Sequence, residues 1–169
     1  MFSHPLPHMV LILSILLFIM LSVYHNPYNL TVEQQWQQNK NVSIHYYVYG
    51  LVRCHHNATD WTIHGLWPQN NATFWPEYCR RDTPFNITAI EALLPKLRRY
   101  WMACDVGKDY EFWEHEWLKH GTCCSMQQVD YFNTTLRLYL KYYDTFFRYI
   151  CEGDEYECNV SIPSVMLAY

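Results

Sequence analysis

The segment Glu111-Phe112-Trp113-Glu114-His115-Glu116-Trp117-Leu118-Lys119-His120, followed by Gly121-Thr122-Cys123-Cys124, places two imidazoles, a carboxylate and an ammonium within six residues, between aromatic anchors and a cysteine pair. If residues 111–120 are helical, His115, Lys119, Glu116 and His120 fall at roughly 0°, 40°, 100° and 140° around the axis. The four groups then share one face. Phe112 lies near that arc, one turn earlier, while Trp113 and Trp117 lie together beyond its edge and can anchor the helix in a core. The competing reading is a solvated charged helix, in which Glu116 and Lys119 form a surface pair worth roughly 0.2–0.5 kcal/mol. The rest of the chain decides between them.

At 169 residues, half of them hydrophobic and 18% aromatic, the chain has material for one domain with a substantial core. A net charge of -4 argues against holding nucleic acid through a broad basic surface. Residues 1–23 contain an uncharged apolar run, Met9 to Val23, of signal-peptide rather than bilayer length. The start lacks Lys and Arg and no A-x-A-like cleavage site follows, so an uncleaved anchor is the rival reading. Seven N-x-S/T sequons, at Asn29, Asn41, Asn57, Asn71, Asn86, Asn133 and Asn159, support a secretory route with N-glycosylation. All seven cysteines follow the leader, in what would be an oxidising compartment. Seven is odd, which leaves one thiol free or paired between chains, a route to a disulfide-linked dimer.

Residues 24–41 are Gln- and Asn-rich and read as a polar linker ahead of a domain over 42–169. Val42 to Arg53 reads as a strand with Gly50 as a bend or bulge, and Asp60 to Trp67 as a second strand with Thr62, His64 and Leu66 on one side and Trp61 and Ile63 on the other. Pro68 to Phe85 reads as a surface loop. A Thr88/Glu91 capping box opens a helix to Tyr100, which Pro95 should kink or divide. Gln127 to Ile150 predicts a long helix buried along Val129, Phe132, Leu136, Leu140, Tyr143, Phe147 and Ile150. The tail after Cys151 offers only a C-x6-C spacing and an Ile-Pro-Ser turn.

His64 on a strand and His115 and His120 on a helix can face each other across a cleft. Such a pair suits RNA cleavage by its own 2′-hydroxyl, in which one side chain takes that proton and another gives one to the departing 5′-oxygen. Histidine serves both roles because its ordinary pKa is near 6.5. Lys119 and a protonated His115 would stabilise charge on the five-coordinate phosphorus, and Glu116 can orient a neighbouring ring. Trp67 and Phe112 can stack on bases for roughly 1–3 kcal/mol each.

The segments Trp61-Thr62-Ile63-His64-Gly65-Leu66-Trp67-Pro68 and Phe112 to Cys123 resemble, in order and spacing, the two active-site segments of the ribonuclease T2 family of secreted acid endoribonucleases. Leu93 to Trp101 also resembles a helix of that family, so the likeness covers about residues 42 to 150. The resemblance implies an α+β fold, an antiparallel sheet packed against helices. It implies that His64 and His120 are the acid and base, with His120 the base that activates the 2′-hydroxyl. His115 would bind phosphate, Glu116 and Lys119 would support the transition state, and Trp67 and Phe112 would form base sites. The implied reaction needs no metal or cofactor and yields a 2′,3′-cyclic phosphate from single-stranded RNA, in a secreted or endolysosomal setting. A disulfide between Cys79 and Cys123 is likewise implied, worth about 4 kcal/mol in the chain-entropy model.

The chain departs from the pattern in having only about 45 residues after Cys124, so either the fold is trimmed or part of the sheet is missing. The stretch before Cys54 lacks the family's Trp-Pro, Cys104 and Cys124 have no evident family partners, and Cys151 with Cys158 can close a local loop. The other six histidines read as loop, linker or surface residues. A zinc peptidase is disfavoured because His115 and His120 stand i,i+5, about 140° apart on a helix rather than about 40°. The remaining alternative is a secreted glycoprotein that keeps the fold for binding, as an effector or immune modulator.

Overall fold

The computed structural model describes residues 43–54, 60–71, 75–153 and 156–168. The leader and polar linker expected over 1–41, the His55-His56 pair and the sequons at Asn29, Asn41 and Asn57 lie outside these residues. Among the described residues no helix is long and apolar enough to cross a membrane.

The Val- and Tyr-rich segment forms β1 (Tyr46–Val52), the middle strand of an antiparallel sheet ordered β2-β1-β3. Its neighbours are β2 (Thr62–Gln69) and β3 (Glu157–Pro163). Tyr47, Tyr49 and Leu51 point into the core, joined by Ile63 and Leu66 from β2 and by Cys158, Val160 and Ile162 from β3. β2 runs two residues further than the sequence predicts and takes in Pro68. An edge strand tolerates a residue that donates no ladder hydrogen bond.

The tail read only as a cysteine spacing and a turn is in fact a strand. From Cys158 to Ile162 every second side chain is buried and Glu157, Asn159, Ser161 and Pro163 are exposed, the period-2 pattern of a half-buried edge.

Helices cover the buried sheet face. A 3-10 helix (Ile87–Leu93) leads into α1 (Leu94–Tyr100), with Pro95 in the first turn of α1. Pro95 therefore divides the segment as expected, since its missing N–H is harmless there. The cap differs from expectation: Asn86, not Thr88, accepts at its side chain from the Thr88 backbone N–H, at 3.0 Å. The central segment forms α2 (Asp109–Lys119), with Trp113 and Trp117 buried and His120 as its C-terminal cap.

The long helix is broken into three parts. α3 (Gln128–Tyr142) passes into a π-helical turn (Tyr143–Phe147) and a last single turn, α4 (Arg148–Ile150). The wider turn brings Phe147 under Tyr49, with ring centroids 4.6 Å apart, and leaves Ile150 half exposed. Val129 and Leu140, predicted as core, are also exposed, while Tyr131, Thr135, Leu138 and Tyr139 are buried with Phe132 and Leu136. The tyrosines win those places because each hydroxyl finds a partner there. Tyr131 donates to the Leu66 carbonyl at 3.2 Å and Tyr139 donates to that of Trp61 at 2.5 Å.

Three disulfides join Cys79 to Cys123, Cys151 to Cys158, and Cys54 to Cys104. The last gives Cys104 the partner that its sequence context lacks. Cys124 is the free thiol, buried, with burial pushing its pKa up to about 12. A thiol so enclosed and so rarely ionised is a poor bridge to a second chain.

Candidate active site

A bulge in β2 sets the geometry of the site. Gly50 pairs with Gly65 but Leu51 pairs with Ile63, so His64 is the extra residue opposite the Gly50–Leu51 step. Strict alternation would place His64 with Leu66 on one face. The bulge instead sends Ile63 and Leu66 both into the core, and leaves His64 and Trp67 together on the open face with ring centroids 5.0 Å apart. Such a kink exposes backbone carbonyls, and aromatics from the end of α1 and from α3 take them up. Trp101 Nε1 donates to the His64 carbonyl at 2.9 Å, next to the tyrosine bonds to Trp61 and Leu66.

α2 meets β2 through Phe112, Glu116 and His120. Phe112 lies 5.9 Å from the His64 ring and His120 lies 5.4 Å from Trp67, so both proposed acid-base histidines border the Trp67 indole. Trp67 Nε1 donates to Glu116 Oε2 at 2.9 Å. Gly65 permits this approach: a Cβ there would fall under 3.0 Å from both atoms of that bond. Gly50 serves the indole in the same way, since a Cβ would lie 2.6 Å from its Cη2.

The C-terminal end of α2 is held from the loop before α1. Besides the Cys79–Cys123 bond, Arg80 Nε donates to the Thr122 carbonyl at 2.9 Å and Nη2 to that of Met126 at 2.9 Å. Trp113 Nε1 donates to the Trp101 carbonyl at 2.6 Å and Trp117 Nε1 to that of Thr83 at 3.0 Å. The two anchoring tryptophans thus fix the rotation of the helix that carries the polar face.

Burial tunes the charges. Glu116 is 1% exposed, and burial raises its carboxyl to about 8 against the opposing pull of the Trp67 N–H and Lys119. His120 is pushed down to about 3 by burial, then by the positive charges of Lys119, His115 and His64. His64 is also lowered, mainly by burial and further by His115 and Lys119, while Glu157 acts in the opposite direction. His115 is exposed and lowered by partial burial and Lys119, with Glu77 opposing.

The structure brings His64, Trp67, Phe112, His115, Glu116, Lys119 and His120 together. It also adds residues with no motif of their own. Glu157 Oε1 lies 3.4 Å from His64 Nδ1 and Glu77 Oε1 lies 3.3 Å from Lys119 Nζ. The carboxylate that faces a histidine ring is thus Glu157 rather than Glu116, whose partner is an indole. Glu77 had no signal in a segment read as loop. Glu157 could have been found from the alternation of β3. His64 and His115 line two adjoining cavities, one of about 480 Å³ that includes Trp67, Glu116, Lys119 and His120, the other of about 580 Å³ that includes Phe112, Ala103 and Lys108. Among the described residues no group of three or more His, Cys, Asp or Glu side chains is placed to hold a metal ion.

The structure is an α+β framework with histidines on two separate elements gathered on the open face of an antiparallel sheet. The chain belongs to the ribonuclease T2 family, whose model matches residues 28–149. It is 42% identical over 94 residues to ribonuclease T2 of Sus scrofa, covering 51% of this chain and 44% of that one. Among solved structures, human ribonuclease T2 matches with a TM-score of 0.52 and 31% identity, over 64% of this chain and 60% of that one. A variant of ribonuclease MC1, an enzyme from bitter gourd seeds, matches in complex with 5′-GMP with a TM-score of 0.52 and 27% identity, over 59% of each chain. The matched stretch spans less than half the length of the curated relatives, 37% and 44% for ribonuclease 1 of Arabidopsis thaliana and the Sus scrofa enzyme.

Proposed function

We propose that the protein is an endoribonuclease that cleaves single-stranded RNA by attack of a 2′-hydroxyl on the adjacent phosphorus, leaving a 2′,3′-cyclic phosphate and a free 5′-hydroxyl. The observation that carries this reading is the placement of His64 and His120 on separate elements around the Trp67 indole, with the buried Glu116 bonded to that same indole. His120, held neutral by burial, is the base that takes the 2′-hydroxyl proton. His64 gives a proton to the departing 5′-oxygen. Glu116, uncharged below about pH 8, offers a carboxylic O–H to a phosphoryl oxygen, and Lys119 and His115 supply positive charge beside it.

Because His64 must carry its proton while its pKa is held below the ordinary value, the reaction should favour acidic pH. The two cavities that share His64 and His115 suit nucleosides on either side of the scissile phosphate, with Trp67 and Phe112 as their aromatic walls. The ribonuclease MC1 variant in complex with 5′-GMP supports a nucleotide in such a fold. The apolar leader, the sequons and three disulfides support passage through an oxidising secretory compartment, to an extracellular or endolysosomal destination.

The test is cleavage of a single-stranded oligoribonucleotide at mildly acidic pH, with product ends read by mass spectrometry. Cyclic phosphate ends, insensitivity to EDTA and a loss on the order of 10²–10⁴ in rate for His64→Ala and for His120→Ala are expected. Full activity in either variant, or cleavage at a position lacking its 2′-hydroxyl, overturns the mechanism.

A further inference from the structure

The match to the family ends at residue 149, yet the strand that follows enters the site. β3 pairs with β1 so that Glu157 stands opposite Val52, and its exposed side chains line the same open face as His64. Two residues along, Asn159 also lines the 480 Å³ cavity, and its Nδ2 lies 3.5 Å from Glu157 Oε1.

His64 Nδ1 is buried and no hydrogen bond satisfies it, although Glu157 Oε1 lies only 3.4 Å away without the alignment that a bond requires. A buried ring nitrogen of a proton-donating histidine needs an acceptor, because the bond made by one nitrogen fixes which proton the other carries. The bulge leaves His64 with no strand neighbour of its own to restrain the ring. Of the groups that face it, Lys119 and His115 on α2 oppose its protonation, His120 at the cap of α2 is held neutral, and among the described residues Glu157, from β3, favours it.

We propose that Glu157 is a positioning residue for His64: its carboxylate takes the Nδ1 proton as a hydrogen bond, turning the opposite nitrogen toward the leaving oxygen and keeping the ring charged for donation. This assignment rests on the acid role given to His64 above. It makes β3, beyond the family-matched stretch, a working part of the site.

The experiment compares Glu157→Gln, Glu157→Asp and wild type in kcat and KM against pH, with the His64 titration followed by NMR on histidine-labelled full chain. Glu157→Gln should move the alkaline limb of kcat to lower pH by at least half a unit. Its loss should be small near pH 4 and grow to about threefold or more near pH 6, with KM within about twofold of wild type. Glu157→Asp should restore part of the shift. A purely structural role predicts a pH-independent loss with a lowered Tm, and that result, or an unmoved His64 titration in Glu157→Gln, overturns the proposal. An inactive wild-type protein in which the His64 titration still moves would instead overturn the ribonuclease reading and leave the Glu157–His64 pairing established.

Discussion

Gly65→Ala probes the core of the site with the smallest possible addition. A Cβ at residue 65 would fall under 3.0 Å from Glu116 Oε2 and Trp67 Nε1, the two atoms joined by a 2.9 Å hydrogen bond. Neither group has room to retreat, since Glu116 is 1% exposed and the Trp67 ring already rests over Gly50. Forcing an extra carbon into a packed interior costs about 1–3 kcal/mol. Breaking the bond leaves a buried carboxyl short of its donor for about 1–3 kcal/mol more. The lower entropy of alanine in the unfolded chain returns about 0.5–1 kcal/mol. The net is a destabilisation of about 1–5 kcal/mol, or about 3–20 °C in Tm for a domain of this size.

Displacing the Glu116 carboxyl by on the order of 1 Å should also lower kcat by about 10²-fold. Calorimetry and RNA cleavage on Gly65→Ala, Glu116→Ala and the double variant separate the causes. With the carboxyl gone, the added methyl should cost at least 1 kcal/mol less than in wild type, a coupling of the size seen between touching residues, which run from about 0.5 to 3 kcal/mol. A Gly65→Ala protein that melts with wild type and keeps its rate, or one whose cost is unchanged in the Glu116→Ala background, refutes the packing argument.

Stability against pH should show a plateau with a fall on each side. Folded Glu116 keeps its proton up to about 8 and the unfolded chain only to 4.5, so stability falls as pH rises between those values. His120 has the opposite sign, because the unfolded chain takes up its proton below 6.5 and the folded protein only below about 3, so stability falls on acidification. Between about pH 4.5 and 6.5 the two slopes, each about 1.4 kcal/mol per pH unit, oppose each other. Denaturant unfolding from pH 3 to 8 checks this, and Glu116→Gln should flatten the alkaline arm; a stability that climbs from pH 6.5 to 8 refutes it. Trp67→Phe keeps the aromatic wall but removes the indole N–H, so Glu116 should lose a partner worth about 1–3 kcal/mol in Tm-derived stability while RNA binding changes less than kcat.

Much of the site was legible in the sequence because α2 is local. Phe112 through His120 are neighbours along one helix, and the 3.6-residue period alone separates Trp113 and Trp117 from His115, Glu116, Lys119 and His120. The division at Pro95 follows from an equally local backbone rule, whereas the bulge expected at Gly50 lies across the ladder from it, at His64 of β2. The structure departs from the local pattern where a distant contact outweighs it. In α3, the apolar period marks aliphatic Val129 and Leu140 as core, but Tyr131 and Tyr139 are drawn inward by the carbonyls of Leu66 and Trp61, more than 60 residues away in sequence. In β2, the side of the sheet that Leu66 faces depends on the extra residue at His64, and period-2 reading misses such a shift.

The sequence by itself determined the helix bearing His115, Glu116 and Lys119, the strand bearing His64, the Cys79–Cys123 clasp suggested by family likeness, and the chemistry open to two imidazoles on separate elements. Only the tertiary structure decided how these are charged and held. The raised pKa of Glu116 and the lowered one of His120 follow from burial against the sheet, and the approach of Glu157 to His64 follows from the pairing of β3 with β1. Burial and cross-strand register are properties of segments distant along the chain, so no local pattern of residues encodes them.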